Sequence, residues 1–239
     1  MAEAHSAEAA SWLVRTPIAH RGSFDNPRIP ENSMAAFHAS IERGLPIELD
    51  VHLSADGLPI VYHDSDLSRL TVSREKLANL PARELTELRL CGTEERIPLL
   101  RDVLGMVSGR VPLLIELKTH AVRSGKLERA VLKALEGYSG EFALQSFNPL
   151  AVGWLRRHAP EICRGQLSAG PAGIPMAGVT KPNFVAYRVD DLPHPAVTHA
   201  RERGLPALAW TVRTPEQKAL ALAYADNYIF EDEATSVTS

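Results

Sequence analysis

Residues 46–64 read PIELDVHLSADGLPIVYHD, two alternating apolar runs separated by Asp56-Gly57. Asp-Gly between such runs is a strong hairpin signal. The second run also follows the first too closely for a helical crossover, which needs about a dozen residues. Residues 58–62 are therefore expected as an antiparallel return to the strand at 46–51. With that return set aside, eight runs of strand character remain, at 17–20, 46–51, 112–117, 141–146, 162–167, 183–187, 207–212 and 227–230. Segments of helical period separate them, and such alternation indicates a parallel sheet. Eight strands are the number that a closed (β/α)8 barrel requires. The expected fold class is α/β, a TIM barrel with a short antiparallel hairpin after its second strand. An open doubly wound sheet is the alternative, but no GxGxxG or Walker A loop supports it.

The turn also predicts a register. A two-residue turn at Asp56-Gly57 opposes positions that sum to 113, which sets Asp50 beside His63 with Glu48 one step along the same face. Helix punctuation fits the alternation. Asn32 and Ser33 precede a stripe of Met34, Phe37 and Ile41 closed by Gly44, and Leu127, Val131 and Leu135 form a second stripe ended by Gly137. Asn148-Pro149 and Thr214-Pro215 each place a capping side chain before a first-turn proline. Residues 168–182, SAGPAGIPMAGVTKP, are too rich in Gly and Pro for a helix, so one barrel helix is expected to be missing or degenerate. At 239 residues the chain suits one such domain, expected over 17–239 after an N-terminal extension of 1–16.

Composition excludes several classes. Hydrophobic residues make up 45% and charged residues 23%, an ordinary globular balance. Lys and Arg number 26 against 29 Asp and Glu, and a net charge of −3 offers no attraction to nucleic acid or an anionic membrane. No apolar run approaches the ~18 residues of a membrane span, and the N-terminus lacks a signal-peptide pattern, so no membrane span and a cytoplasmic location are expected. Cys91 and Cys163 lie far apart with no CxxC, which argues against a disulfide scaffold or zinc site. The oligomeric state is left open.

The residues that carry chemistry cluster between 20 and 64. Glu48 and Asp50 are two apart on one strand and leave the same face. Paired carboxylates at the end of an apolar strand are unfavourable unless a proton or cation intervenes. Glu116 ends another apolar strand. Oxygen-only ligands suit a hard divalent cation, Mg2+ or Ca2+; the alternative is pairing of these acids with Arg or Lys inside the barrel. His20 and His63 sit at strand ends, where barrel enzymes place reactive groups, and suit general acid and base roles. Arg21 and Lys118 adjoin these residues and suit either a phosphate oxygen or a salt bridge to the same carboxylates.

The runs IAHRG, PENSMAAFHASIERG, IELDVHLSADGLPIVYHDSDLSRLT, RIPLLRDVL and LLIELK, with weaker echoes in LQSFN and GLPALAWTVRTPEQ, resemble the glycerophosphodiester phosphodiesterases over about residues 17–232. The resemblance implies a (β/α)8 barrel, one divalent cation and hydrolysis of a small-molecule glycerophosphodiester to glycerol 3-phosphate and an alcohol. Carried residue by residue, His20 and His63 match the catalytic pair, and Glu48, Asp50 and Glu116 the metal ligands. Arg21 and Lys118 match the phosphate-contacting residues, and Trp210 is a candidate substrate wall. Departures fall at Ser33, at Ser54-Ala55-Asp56-Gly57, and at Ile229-Phe230-Glu231-Asp232-Glu233, where the family commonly ends in Thr-Asp and Pro. The last of these marks the wall beside the final strand as the place where substrate range would differ. A lysophospholipase D-like enzyme acting on lysolipids and a catalytically silent metabolite-binding barrel are the other readings. A glycosidase fits poorly, because Glu48 and Asp50 share one strand and cannot flank a sugar bond.

Overall fold

The computed structural model describes residues 11–119 and 125–231. Asp232, Glu233 and the first ten residues of the expected N-terminal extension lie outside the described residues. Eight parallel strands form the sheet: β1 (Ile18–Ala19), β2 (Ile47–Leu53), β4 (Leu113–Leu117), β5 (Phe142–Ser146), β6 (Arg164–Ser168), β7 (Phe184–Arg188), β8 (Ala207–Val212) and β9 (Asn227–Phe230). β1 pairs with both β2 and β9, through Ala19 to Ile47 and Ile18 to Ile229, and this closes the barrel. The remaining strand, β3 (Pro59–Val61), runs antiparallel on β2. The chain is a TIM barrel of the expected class.

Alternation along each strand separates two cores. Ile47, Leu49 and Val51 of β2 and Leu113, Ile115 and Leu117 of β4 face outward onto the helices Leu100–Val107 and Lys126–Leu135. Ile18, Leu114, Ala143, Leu167, Phe184, Leu208 and Ile229 face inward and fill the barrel. Trp12 and Leu13, in a short 3-10 turn at Ser11–Val14, join this inner core. Asn227, at the start of β9, donates to the carbonyls of Leu13 and Thr16 at 2.7 Å each, so that turn stoppers the N-terminal end of the barrel. The polar residues Glu48, Asp50 and Glu116 share the inward parity. Hydrophobic side chains thus occupy the lower barrel, and the carboxylates lie toward its C-terminal mouth.

The hairpin register differs from the expectation by one residue. Val51 faces Val61 and His52 faces Ile60, so Asp50 lies opposite Tyr62, whose amide donates to the Asp50 carbonyl at 3.0 Å. Asp50 and His63 are therefore not cross-strand neighbours, and His63 follows the end of β3. The cause is a three-residue loop in place of a two-residue turn. Ser54 and Leu58 close it, Ser54 N donating to the Leu58 carbonyl at 3.0 Å, with Gly57 left-handed at φ +85°. A turn followed by a left-handed residue is the usual three-residue hairpin. Asp56 holds that loop by accepting from Ser54 Oγ at 2.7 Å and from Ala82 N at 2.8 Å.

Other elements follow local chemistry closely. Ser33 Oγ accepts from Ala36 N and caps the helix Met34–Glu42, while Asn148 and Thr214 cap the proline-led helices Pro149–His158 and Pro215–Tyr224. Residues 168–182 hold only the four-residue helix Ala177–Thr180. Between β1 and that first helix, Gly22 adopts φ +80° with its α-carbon against Ala36. An added Cβ would lie 2.8 Å from the Ala36 carbonyl carbon. Gly22→Ala is accordingly expected to destabilise the fold by about 2 kcal/mol or more, combining left-handed strain with a backbone clash. A melting-temperature drop of several degrees would register it; an unchanged transition would refute the close approach.

Candidate active site

Barrel register assembles the site. Asp50 on β2 pairs with Glu116 on β4, and Glu116 with Gln145 on β5, so three inward polar side chains share one layer. Glu48 lies one step below Asp50 on the same strand. Carboxylate oxygens of Glu48, Asp50 and Glu116 all lie within 4.8 Å of one another, and all three residues are buried.

Such crowding has an electrostatic consequence. Burial lifts the Glu48 carboxyl well above the ordinary range, and the Asp50 and Glu116 charges lift it further. Burial raises Glu116 as well, with Lys118 opposing and Asp50 adding to the rise. Asp50 is also fully buried, yet Lys118 and Arg21 outweigh that burial and hold its pKa below the usual value. Lys118 Nζ lies 3.0 Å from Asp50 Oδ1 and 2.8 Å from Glu116 Oε1. Arg21 Nε lies 3.2 Å from Asp50 Oδ2, while its amide donates to Glu48 Oε2 at 3.2 Å. The expected alternative, pairing with basic residues, therefore exists here together with the cluster. The charge is still not balanced, because Glu48 and Glu116 remain strained toward the protonated form. An all-oxygen donor set of three convergent buried carboxylates fits a hard divalent cation.

Both histidines border the same cavity, of about 140 Å³, along with Arg21, Lys118, Gln145 and Trp210. Each imidazole bonds a carboxylate through Nδ1. His20 meets Glu231 Oε1 at 2.7 Å, and His63 meets Asp64 Oδ1 at 2.6 Å. Burial lowers the pKa of both rings, so neither is charged merely by position. Trp210 packs edge-on against Phe147 at 5.3 Å, and its buried Nε1 has no partner among the described residues. The structure thus brings every proposed site residue to one mouth, Trp210 as part of the wall.

Several neighbours carried no assigned role in the sequence. Asn32 stood at a helix start and, with Glu31, among the clustered polar motifs without a role of its own, and the cap belongs to Ser33. Asn32 Nδ2 instead donates to Asp50 Oδ2 at 2.8 Å from a left-handed backbone at φ 55°. Glu31 bridges Arg21 and Arg69, and Arg69 reaches Asp64 at 2.6 Å. Glu31-Asn32 lay in plain view beside the histidine motif, so these two were findable. Gln145 is buried at the cavity, and its Oε1 has no partner among the described residues. Its sequence signals were its place near the end of a strand and the weak family echo LQSFN, neither of which carried a role. Glu231 stood out solely as a departure from the family's ending.

A family model described as the glycerophosphoryl diester phosphodiesterase family matches residues 20–235. A glycerophosphodiester phosphodiesterase of Caldanaerobacter subterraneus is 29% identical, with 92% of this chain and 95% of that protein covered. Among solved structures, a phosphodiesterase of Oleispira antarctica in complex with the product sn-glycerol-3-phosphate superposes with a TM-score of 0.83 at 25% identity, covering 94% of this chain and 95% of that one. A glycerophosphodiester phosphodiesterase of Thermotoga maritima, at 24% identity and TM-score 0.73, covers 90% of this chain and 94% of its own and shares the fold.

The carboxylate strain makes a stability prediction with a definite sign. A carboxyl whose folded pKa is raised costs stability once pH exceeds its unfolded value of roughly 4.3. In chelator at neutral pH, Glu116→Gln is therefore expected to melt higher than the parent protein, and the gap should close as pH falls toward that value. Adding a divalent cation should reverse the order, since the parent gains more from binding. A lower melting temperature for the variant in chelator would contradict the repulsion.

Proposed function

The chain belongs to the glycerophosphoryl diester phosphodiesterase family, and from that premise we propose that it hydrolyses glycerophosphodiesters to glycerol 3-phosphate and an alcohol by cation-dependent histidine acid–base catalysis. The observation that carries this reading is a cluster of three buried carboxylates, two of which, Glu48 and Glu116, line one small cavity together with two carboxylate-bound histidines. The structural relative holding sn-glycerol-3-phosphate supports the substrate class.

Glu48, Asp50 and Glu116 would hold one divalent cation, Mg2+ or Ca2+. When bound, that cation would supply positive charge to a non-bridging phosphate oxygen and to the attacking hydroxyl. Arg21 and Lys118 already stand at the carboxylates and would neutralise further charge as the phosphorus centre becomes more anionic. One imidazole takes the proton of the attacking hydroxyl, either water or the substrate's own glycerol hydroxyl. The other returns a proton to the alkoxide as the P–O bond breaks. Trp210 Nε1, a donor without a partner among the described residues, is suited to a substrate oxygen. A lysophospholipase D-like action on lysolipids is the second reading. It draws on Phe147, 43% exposed and packed on Trp210, as an apolar wall at the mouth.

A panel of glycerophosphodiesters and lysolipids assayed with Mg2+, Ca2+ or chelator separates these readings. Glycerol 3-phosphate as the shared product, and loss of activity in chelator restored by either ion, are expected. Full activity in chelator would remove the cation from the mechanism, and turnover of lysolipids alone would favour the second reading.

His20→Ala and His63→Ala should each lower kcat by roughly 10²–10⁴-fold while cation binding persists. A substrate with a nitrophenolate leaving group needs no proton on departure. It should rescue only the variant that lacks the general acid. A near-parental rate in either variant would reject paired-histidine catalysis.

A further inference from the structure

We propose that Glu231, held by Arg213, is a positioning residue that locks His20 in the Nδ1–H tautomer and so turns a bare Nε2 toward the phosphate cavity. This rests on the reading of His20 as a proton-transfer group.

The geometry comes from three adjacent strand ends. β8, β9 and β1 lie side by side in the closed barrel. Glu231 N donates to the Val212 carbonyl at 3.0 Å, and His20 N donates to the Phe230 carbonyl at 2.8 Å. Closure therefore stacks residues 213, 231 and 20 at one mouth, although 211 residues separate the last two. Arg213 grips the carboxylate with both arms, Nε to Oε2 at 2.7 Å and Nη2 to Oε1 at 2.8 Å. Glu231 Oε1 also meets His20 Nδ1 at 2.7 Å. A carboxylate with a guanidinium donor on each oxygen is ionised and can only accept, so the hydrogen between Glu231 and His20 belongs to Nδ1. Burial disfavours the Glu231 charge, but the hydrogen bonds from His20 and Arg213 outweigh it and hold its pKa at about 2. His20 Nε2 then faces inward, 3.9 Å from Glu48 Oε2. Glu231 is not among the residues lining the cavity, whereas His20 is, so its influence passes through the ring. A buried acid that orients the imidazole of a serine-hydrolase triad does the same work, and the wrong tautomer there costs about 10⁴ in rate.

The test uses the full chain labelled with 15N-histidine, in buffer alkaline enough to keep imidazoles neutral, with the His20 signal identified by its loss in His20→Ala. Long-range 1H–15N spectra should show His20 protonated at Nδ1 and bare at Nε2. In Glu231→Ala that signal should move toward the opposite tautomer, and kcat on glycerophosphocholine should fall roughly 10²-fold with KM changed less than about two-fold. Arg213→Ala, which leaves the Glu231–His20 bond in place, should keep the tautomer; because Arg213 also lines the cavity, its readout is the His20 spectrum and not kcat. A parental His20 protonated at Nε2 would overturn the inference, as would an unchanged tautomer and kcat in Glu231→Ala. The parental spectrum decides the question even if Glu231→Ala fails to fold. It also decides it independently of turnover, so a chain inactive on glycerophosphodiesters would sink the proposed reaction and leave the tautomer assignment standing.

Discussion

Three carboxyl groups forced into one buried volume govern the rest of this site. Glu48, Asp50 and Glu116 point inward because they sit at inward-parity positions of strands whose alternate residues belong to the outer core. Their mutual repulsion cannot be relieved by solvent. The protein surrounds them with donors that no ordinary barrel mouth needs, the Arg21 amide and guanidinium, the Lys118 ammonium and the Asn32 amide. Two of these come from left-handed residues, Arg21 at φ 56° and Asn32 at φ 55°. Non-glycine residues rarely hold that conformation, and it persists where surrounding structure over-determines it. Here the Asn32 amide donates to the Arg21 carbonyl at 3.0 Å, which ties the two turns into one unit. Backbone strain and charge strain thus coincide at one place.

Around that centre the polar groups form two arms with a common plan. One runs from Arg21 through Glu31, Arg69 and Asp64 to His63, and the other from Arg213 through Glu231 to His20. In each, a carboxylate holds the imidazole Nδ1 and an arginine holds the carboxylate. Side chains locked in this way pay little ordering entropy when a substrate arrives, which is the general advantage of a supported site. The first arm also fastens the segment after β3 to the loop after β1. His63 therefore reaches the cavity although its own strand has ended.

Much of this was legible locally. Strand period placed Glu48 and Asp50 on one common face and Glu116 at the end of another strand, capping side chains marked the helices, and Asp56-Gly57 announced an antiparallel return. Those signals depend on neighbours within a few residues, so the chain carries them openly. The hairpin register was not legible in the same way. Asp-Gly serves both a two-residue turn and a three-residue loop, and the choice fell to Asp56 bonding Ser54 Oγ and Ala82 N, the latter 26 residues away. The consequence was a one-residue shift that moved His63 off the paired strand. Asn32 likewise has two local uses, and the carboxylate 18 residues on decided between them.

The sequence alone therefore determined the eight-strand alternation, the shared face of Glu48 and Asp50 and the strand-end positions of Glu116, His20 and His63, because period and residue type are properties of short segments. Tertiary structure decided which strand ends meet, which cation pairs with which carboxylate, and what holds each imidazole. Barrel closure brings β9 against β1, and only then does a glutamate at the end of the chain become the partner of a histidine near its beginning. No spacing between them could have announced it, since the contact depends on the circumference of the barrel rather than on the length of the loop between the residues.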